Sequence, residues 1–305
     1  MKTLNRTIKG QTKGEWRRRG FLAYCILPSL ILYLTFMIYP TLNVFGNSLF
    51  HWSGLSPNKR FAGLENFANL MNDRVFWLAF RNTIFLMSVV TVITMALSLF
   101  LAFFLTKTRL KERNVYRTLF FFPNVLSFVV IGTLFKNIYA PSTGILNNLL
   151  KLFGLDSWCH AWLGESGTVL WAIAAAMIWQ AFGYYMVMYI AGMDSIPRDV
   201  YEAADIAGAS KFRQFFAITV PLTWEIIRVT LVFFIASTLS TSFLVVSVMT
   251  NTSQNYSSEV LLSYMYRQAF TNANFGYSMA VAVFIFLFSL FLAIVVNILT
   301  GKKEN

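Results

Sequence analysis

Charged side chains are scarce in this sequence. Asp, Glu, Lys and Arg make up 12% of its 305 residues, against about 25% in soluble domains. So few charges cannot cover an aqueous surface, so most of the surface is expected to face lipid. Cysteine is rarer still. Cys25 lies in an apolar run and Cys159 in a loop, which speaks against a disulfide framework. His51 and His160 are the only imidazoles, too few for haem, copper or zinc chemistry in a membrane, and no metal site is expected. No G-x-x-x-x-G-K-[ST] loop occurs, so the chain does not hold ATP in the usual way. No Asp, Glu, Lys, Arg or His falls near the middle of a long apolar run. That weakens the case for a proton-driven carrier, whose coupling proton needs a titratable partner, while backbone-coordinated sodium stays open.

What is present is apolar: 57% hydrophobic residues, 31 of them Phe, with a mean hydropathy of +0.58. Six runs reach the roughly 20 residues a helix needs to cross a bilayer: 22–45, 77–105, 118–135, 169–193, 226–249 and 277–299. The first follows Arg17-Arg18-Arg19, as a secretory signal would. It is longer than a signal core and lacks a small-x-small cleavage site, so a retained anchor is expected. With the N-terminus inside, 18 Lys and Arg fall on the inner side and 7 on the outer. The positive-inside rule then places both termini in the cytoplasm. It also accounts for the net charge of +12 without nucleic acid as a partner. The expected fold is all-α, a polytopic membrane protein. A basic cytoplasmic tail (1–21) precedes a six-span domain (22–300) and a short tail (301–305). No segment between spans is long enough for a soluble catalytic domain, so no enzyme and no catalytic residue is expected.

Uncharged polar groups do occur within the runs. Gln180 lies near the middle of the fourth, with Tyr184 one turn on. Ser237, Thr238, Ser240, Thr241 and Ser242 cluster in the fifth, and Asn124 and Ser127 lie three apart in the third. Small hydroxyls commonly serve as packing between membrane helices; the other reading is a polar path for a hydroxyl-rich solute. A mid-bilayer amide such as Gln180 needs polar partners or a cavity. For the path, Gln180, Tyr184, Ser237, Ser240 and Thr241 are the candidates. Trp158, Trp162 and Trp171 read as anchors at the outer interface.

The inner loop after the fourth run breaks the basic pattern. From Pro197 to Gly208 a short helix is expected, started by proline and stopped by glycine. It carries Asp199, Glu202 and Asp205 at steps of three and a small face of Ala203, Ala204 and Ala207. Ser210 is expected to cap a second helix, which Pro221 would stop near residue 220. Two readings stand: a solvated connector, or a helix that docks on a basic partner.

The segment Glu202-Ala203-Ala204, three residues, Gly208, nine residues, Ile218, then Val220-Pro221 resembles the EAA loop of ABC-importer permeases, with Val220 where Leu is usual. Further pieces resemble the same family. They include Leu27-Pro28-Ser29, Tyr39-Pro40, Gly63-Leu64-Glu65-Asn66-Phe67, Asn82-Thr83, Pro123-Asn124, Gly144-Ile145-Leu146-Asn147 and Glu259-Val260-Leu261. Together they are similar to the carbohydrate-importing branch and its first permease type. Two departures stand out: Thr252-Ser253-Gln254 where the family often has Gly-Gly-Pro, and Glu225 where a further Pro is frequent.

The resemblance implies a permease subunit in a bacterial inner membrane for a sugar, oligosaccharide or related polyol. It implies a second homologous permease, two ATP-binding subunits that hold ATP and Mg, an extracellular solute-binding protein and membrane lipid as partners. Alternating access would be driven through the coupling loop, 194–224, with Glu202, Ala203, Ala204, Asp205, Gly208 and Pro221 at the ATPase contact. The rival reading is a stand-alone secondary transporter or channel for a polar solute.

Overall fold

The computed structural model describes residues 2–54, 56–107, 112–250 and 256–301. The Thr252-Ser253-Gln254 departure, part of the basic loop after the second run, and the last four residues of the chain lie outside the described residues.

The chain is almost entirely helical. Helix α1 (Lys2–Tyr33) passes through a π-turn at Leu34–Ile38 into α2 (Tyr39–Asn47). The expected basic tail is thus not a separate element but the start of the first helix. Strands β1 (Phe50–His51) and β2 (Arg60–Phe61) form a two-residue antiparallel ladder, a small departure from all-α. Then come α3 (Glu65–Asn72), the long α4 (Arg74–Lys107), α5 (Arg113–Val125), α6 (Phe128–Ile138) and α7 (Ile145–Leu152). The second half holds α8 (Val169–Asp194), α9 (Arg198–Ile206), α10 (Lys211–Gln214), a π-turn (Phe215–Thr219) and α11 (Val220–Leu222). It ends with α12 (Trp224–Met249), α13 (Leu261–Phe270) and α14 (Phe275–Thr300).

Among the described residues, five helices are long and apolar enough to span a bilayer: Arg18–Asn47, Arg74–Lys107, Val169–Asp194, Trp224–Met249 and Phe275–Ile298. The third expected span is not one straight helix. It breaks into α5 and α6, which meet at 98°. Pro123 lies two residues before the end of α5, and the Ser127 hydroxyl caps α6 by accepting the Val130 amide at 3.4 Å. A cap of this kind satisfies an orphan donor and favours a fresh helix start.

The helix that Ser210 caps ends at Leu222, one residue past Pro221, and Thr223 separates it from α12. Proline lacks an amide N–H, and its ring presses on the carbonyl four residues back. Here a π-turn directly before Val220-Pro221 widens the backbone, and the chain continues through α11 to α12. Tyr39-Pro40 repeats the device behind the π-turn of the first helix.

The core is the contact of α4 with α8, joined by α12. Val90, Ile173, Met177, Met186 and Tyr189 are buried there. Ser98 donates to the Phe182 carbonyl at 2.7 Å, and the Tyr189 hydroxyl meets Thr230 Oγ1 at 2.8 Å, so three helices share polar ties inside an apolar core. A second cluster, with Phe76, Leu261 and Val281, joins the start of α4 to α13 and α14. At its edge Asp73 accepts from the hydroxyls of Tyr264 and Tyr277. Burial works to raise the Asp73 carboxyl, but these hydroxyls and the amides of Phe76 and Val75 hold it below the usual carboxylate range.

Candidate functional site

Two places gather the polar residues singled out from the sequence. The first is a cavity of about 270 Å³ between α4, α8, α12 and the α5–α6 break. Gln180, Tyr184, Ser237 and Thr241 all line it. Ser240 does not: it is exposed on another face of α12, and its hydroxyl donates to the Ser237 carbonyl at 3.0 Å. Ser237 and Thr238 bond back to the Phe234 carbonyl at 3.0 and 2.7 Å, satisfying themselves on their own helix. Gln180 and Thr241 find no hydrogen-bond partner among the described residues, and Gln180 is buried. A buried amide without a protein partner is costly unless water or a ligand meets it.

The local sequence explains this shape. Gly183 lets α5 cross directly over α8: a Cβ there would come within 1.8 Å of the Phe120 carbonyl oxygen. One turn further along α5, Asn124 then reaches the cavity beside Gln180, and Phe128 follows just beyond the break. Discontinuous helices are a common way to place polar groups at mid-membrane depth. Tyr185 and Phe234 supply an aromatic wall, their rings 4.8 Å apart and edge-on. Sequence reading missed Phe128, Tyr185 and Phe234, which look like ordinary apolar positions. For the break itself, Pro123-Asn124 followed by a capping Ser127 was a readable signal. No charged residue lines the cavity among those described.

The second place is α9. Pro197 precedes its first residue, and Gly208 ends it with φ +73°. The Gly208 amide donates to the Asp205 carbonyl at 3.0 Å and the Ala209 amide to the Ala204 carbonyl at 2.9 Å, the paired bonds of a Schellman stop. Tyr201 turns inward and is buried. Its hydroxyl meets Thr219 Oγ1 at 2.9 Å, and the Lys107 ammonium lies over its ring. Asp205 faces the loop rather than away from it, paired with Lys211 at 2.6 Å and accepting from the buried amide of Gln214. Those two hydrogen bonds, Lys211 first, hold its carboxyl below the usual range. At the base, Arg113 donates to both Asp194 oxygens at 3.0 and 2.8 Å and clamps α5 to the end of α8.

The opposite face is left open. Asp199, Glu202, Ala203 and Ile206 share one stripe at helical spacing and all are exposed, Ile206 by 89%. Glu202 has no hydrogen-bond or ion-pair partner among the described residues. Ala204 is half-buried, and Pro221 lies away from the stripe in α11. Ile206 and the buried anchor Tyr201 were missed by sequence reading. The apolar residue ending an otherwise acidic stripe was the available sign. The three tryptophans divide: Trp158 and Trp171 are exposed, while the Trp162 indole donates to Asn147 Oδ1 at 2.7 Å.

Residues 67–304 match the family described as binding-protein-dependent transport system inner membrane component. The chain is similar to the probable ABC transporter permease protein YurN of Bacillus subtilis, 38% identical over 92% of this chain and 98% of that one. It is also similar to the diacetylchitobiose uptake system permease protein NgcF of Streptomyces coelicolor, 31% identical over 93% of this chain and 84% of that one. A solved bacterial ABC transporter that imports the acidic polysaccharide alginate shares the fold, with a TM-score of 0.85 at 23% identity, covering 97% of this chain and all of that one.

Proposed function

The chain belongs to the family of binding-protein-dependent transport system inner membrane components, and we propose that it forms half of the membrane pathway of an ABC importer for a neutral sugar or oligosaccharide. The observation that carries the solute class is the lining of the α8–α12 cavity: an amide, hydroxyls and aromatic rings, with apolar walls and no charge. A sugar presents hydroxyls around an apolar ring face, and such a lining matches both. An anionic solute would need a cation to offset its desolvation, and none is among the described lining residues. The uptake of diacetylchitobiose by the system of the NgcF relative agrees with a saccharide.

The chain carries no machinery for ATP. In this reading two ATP-binding subunits hold ATP and Mg, a second permease completes the pathway, and an external binding protein delivers the solute. The open stripe of α9 docks in a cleft of the ATP-binding subunit with Glu202 toward basic groups. Closure of those subunits moves α9 and swings α8 and α12 together, a rigid-body form of alternating access. Both termini lie in the cytoplasm. A stand-alone carrier would not need an exposed acidic helix anchored from behind, and in this reading ATP hydrolysis belongs to the partner subunits and not to this chain.

Two experiments test this. Uptake of a panel of neutral and acidic saccharides by the assembled importer should select a neutral one, and Gln180→Leu should change its apparent affinity severalfold while assembly stays intact. An assembly defect with unchanged affinity would return Gln180 to a packing role. For orientation, a cysteine at Ser157 should react with an impermeant reagent in intact cells and one at Lys211 should not. The reverse pattern would place α9 on the wrong side for any ATPase.

A further inference from the structure

We propose that the groove between the inner end of α4 and the segment following α9 seats an anionic phospholipid of the inner leaflet. The groove encloses about 410 Å³. Its walls are phenylalanines from both segments, and among the described residues the only others that line it are Lys107 and Lys211. Phe100, Phe104, Phe212 and Phe216 present much of their rings outward, Phe212 by 76%. The result has the form of an amphiphile: a wide apolar surface with two ammonium groups at one end.

Charge selects the occupant. Lys107 makes no ion pair among the described residues, and it feels Lys211 as a repulsion that the more distant Asp205 and Asp194 oppose. Lys211 shares the one nearby carboxylate of Asp205 with the Gln214 amide. A phosphate between the two ammoniums removes that repulsion, and its acyl chain covers the phenylalanines. An apolar helix from another subunit would cover the rings but bring no further negative charge to two cations that have only Asp205 in direct contact with one of them. Basic pockets at the cytoplasmic edge of membrane helices commonly hold acidic headgroups in this way.

The same two lysines are the back anchors of α9. Lys107 lies over the Tyr201 ring and Lys211 holds Asp205. A headgroup that draws on them acts on the helix that faces the ATP-binding subunit. The lipid therefore sets how firmly that helix is held, and ATP hydrolysis coupled to transport rises with the anionic lipid content of the membrane.

The test uses the assembled importer in nanodiscs of phosphatidylcholine with or without phosphatidylglycerol, read by native mass spectrometry of retained lipid and by solute-stimulated ATP hydrolysis. Wild type should retain phosphatidylglycerol severalfold over phosphatidylcholine, and its hydrolysis should rise severalfold with it. Lys107→Gln with Lys211→Gln should lose both effects, while Lys107→Arg, which keeps the charge, should retain them. Equal retention of the two lipids overturns the proposal, as does loss of the preference in Lys107→Arg. So does a photocrosslink from position 212 to the second permease in place of lipid. Lipid retention is read without any solute, so it stands or falls independently of the sugar assignment.

Discussion

The residues that carry the family resemblance behave in opposite ways at the two ends of the bundle. At the end away from α9, the outer one in the proposed orientation, they turn inward. Asn66 donates to the carbonyls of Ser48 and Phe50, Asn82 to those of Ser257 and Glu259, and Asn147 to those of Pro141 and His160. All three are buried, and each donates to two backbone carbonyls, within one stretch of chain for Asn66 and Asn82 and across two stretches for Asn147. At the other end, the inner one in that orientation, Glu202 and Ala203 are exposed, and their side chains meet no partner among the described residues. An asparagine knot is complete within one chain. An open acidic stripe anchored from behind is half of something. The same degree of sequence likeness therefore marks internal ties at one end and an open face at the other, the face that the proposed function assigns to a partner.

The sharpest way to break this comparison is Glu202→Lys. A positive charge placed against a basic cleft costs several kcal/mol in a partly desolvated contact. Transport should be abolished and the ATP-binding subunits should no longer co-purify, while thermal stability of the chain stays at the wild-type value. A stability loss, or normal uptake, would make the inner stripe as self-contained as the outer knots.

Gly208→Val comes next. No atom crowds that position, so the penalty is conformational: a φ of +73° costs an L-residue about 1–2 kcal/mol, and more with a branched side chain. The helix stop should shift and ATP hydrolysis should continue with transport reduced severalfold. Gly208→Asn, which tolerates left-handed backbone, should keep most coupling. Equal behaviour of the two variants would show that the turn is not what matters.

The smallest effect on transport is expected from Asn82→Ala. It leaves two buried carbonyls without a donor, at about 1–3 kcal/mol each. The melting midpoint should fall by several degrees, with uptake per assembled importer close to wild type. A transport defect at unchanged stability would turn this outer knot into a functional contact.

Local signals were the legible part. The caps, the glycine stop and the acidic stripe of α9 are written within a dozen residues, and the structure forms them where the spacing indicates. Gln180, Tyr184, Ser237 and Thr241 were also readable, because a helix one turn apart presents its residues on one face. What could not be read depends on partners distant in the chain. Ser240 shares the composition of its neighbours but not their direction, since only the packing of α12 decides which side faces the cavity. Asp205 looks like a third member of the acidic stripe until Lys211 and Gln214 are seen to claim it. Pro221 is a helix stop by local rule and the helix does end one residue past it, but the π-turn in front of it is not written in the local sequence. The bend at residues 126–127 had a local sign in Pro123 and Ser127, but its angle is not legible, because an apolar run has the same composition whether it is straight or folded.

The π-turn and α11 leave α9 tied to the foot of α12 by a short run of chain, with Tyr201 bonded to Thr219 and the Thr223 hydroxyl to the Thr219 carbonyl at 2.7 Å. From Trp224 to Ser237 the helix rises roughly 20 Å. In the proposed mechanism α12 would act as a lever whose short arm is the loop that carries α9. A tilt of about ten degrees at its foot displaces the cavity wall by roughly 3 Å at Ser237, on the order of a hydrogen-bond length. Motion too small to disturb the core can therefore make or release every polar contact that α12 offers a solute.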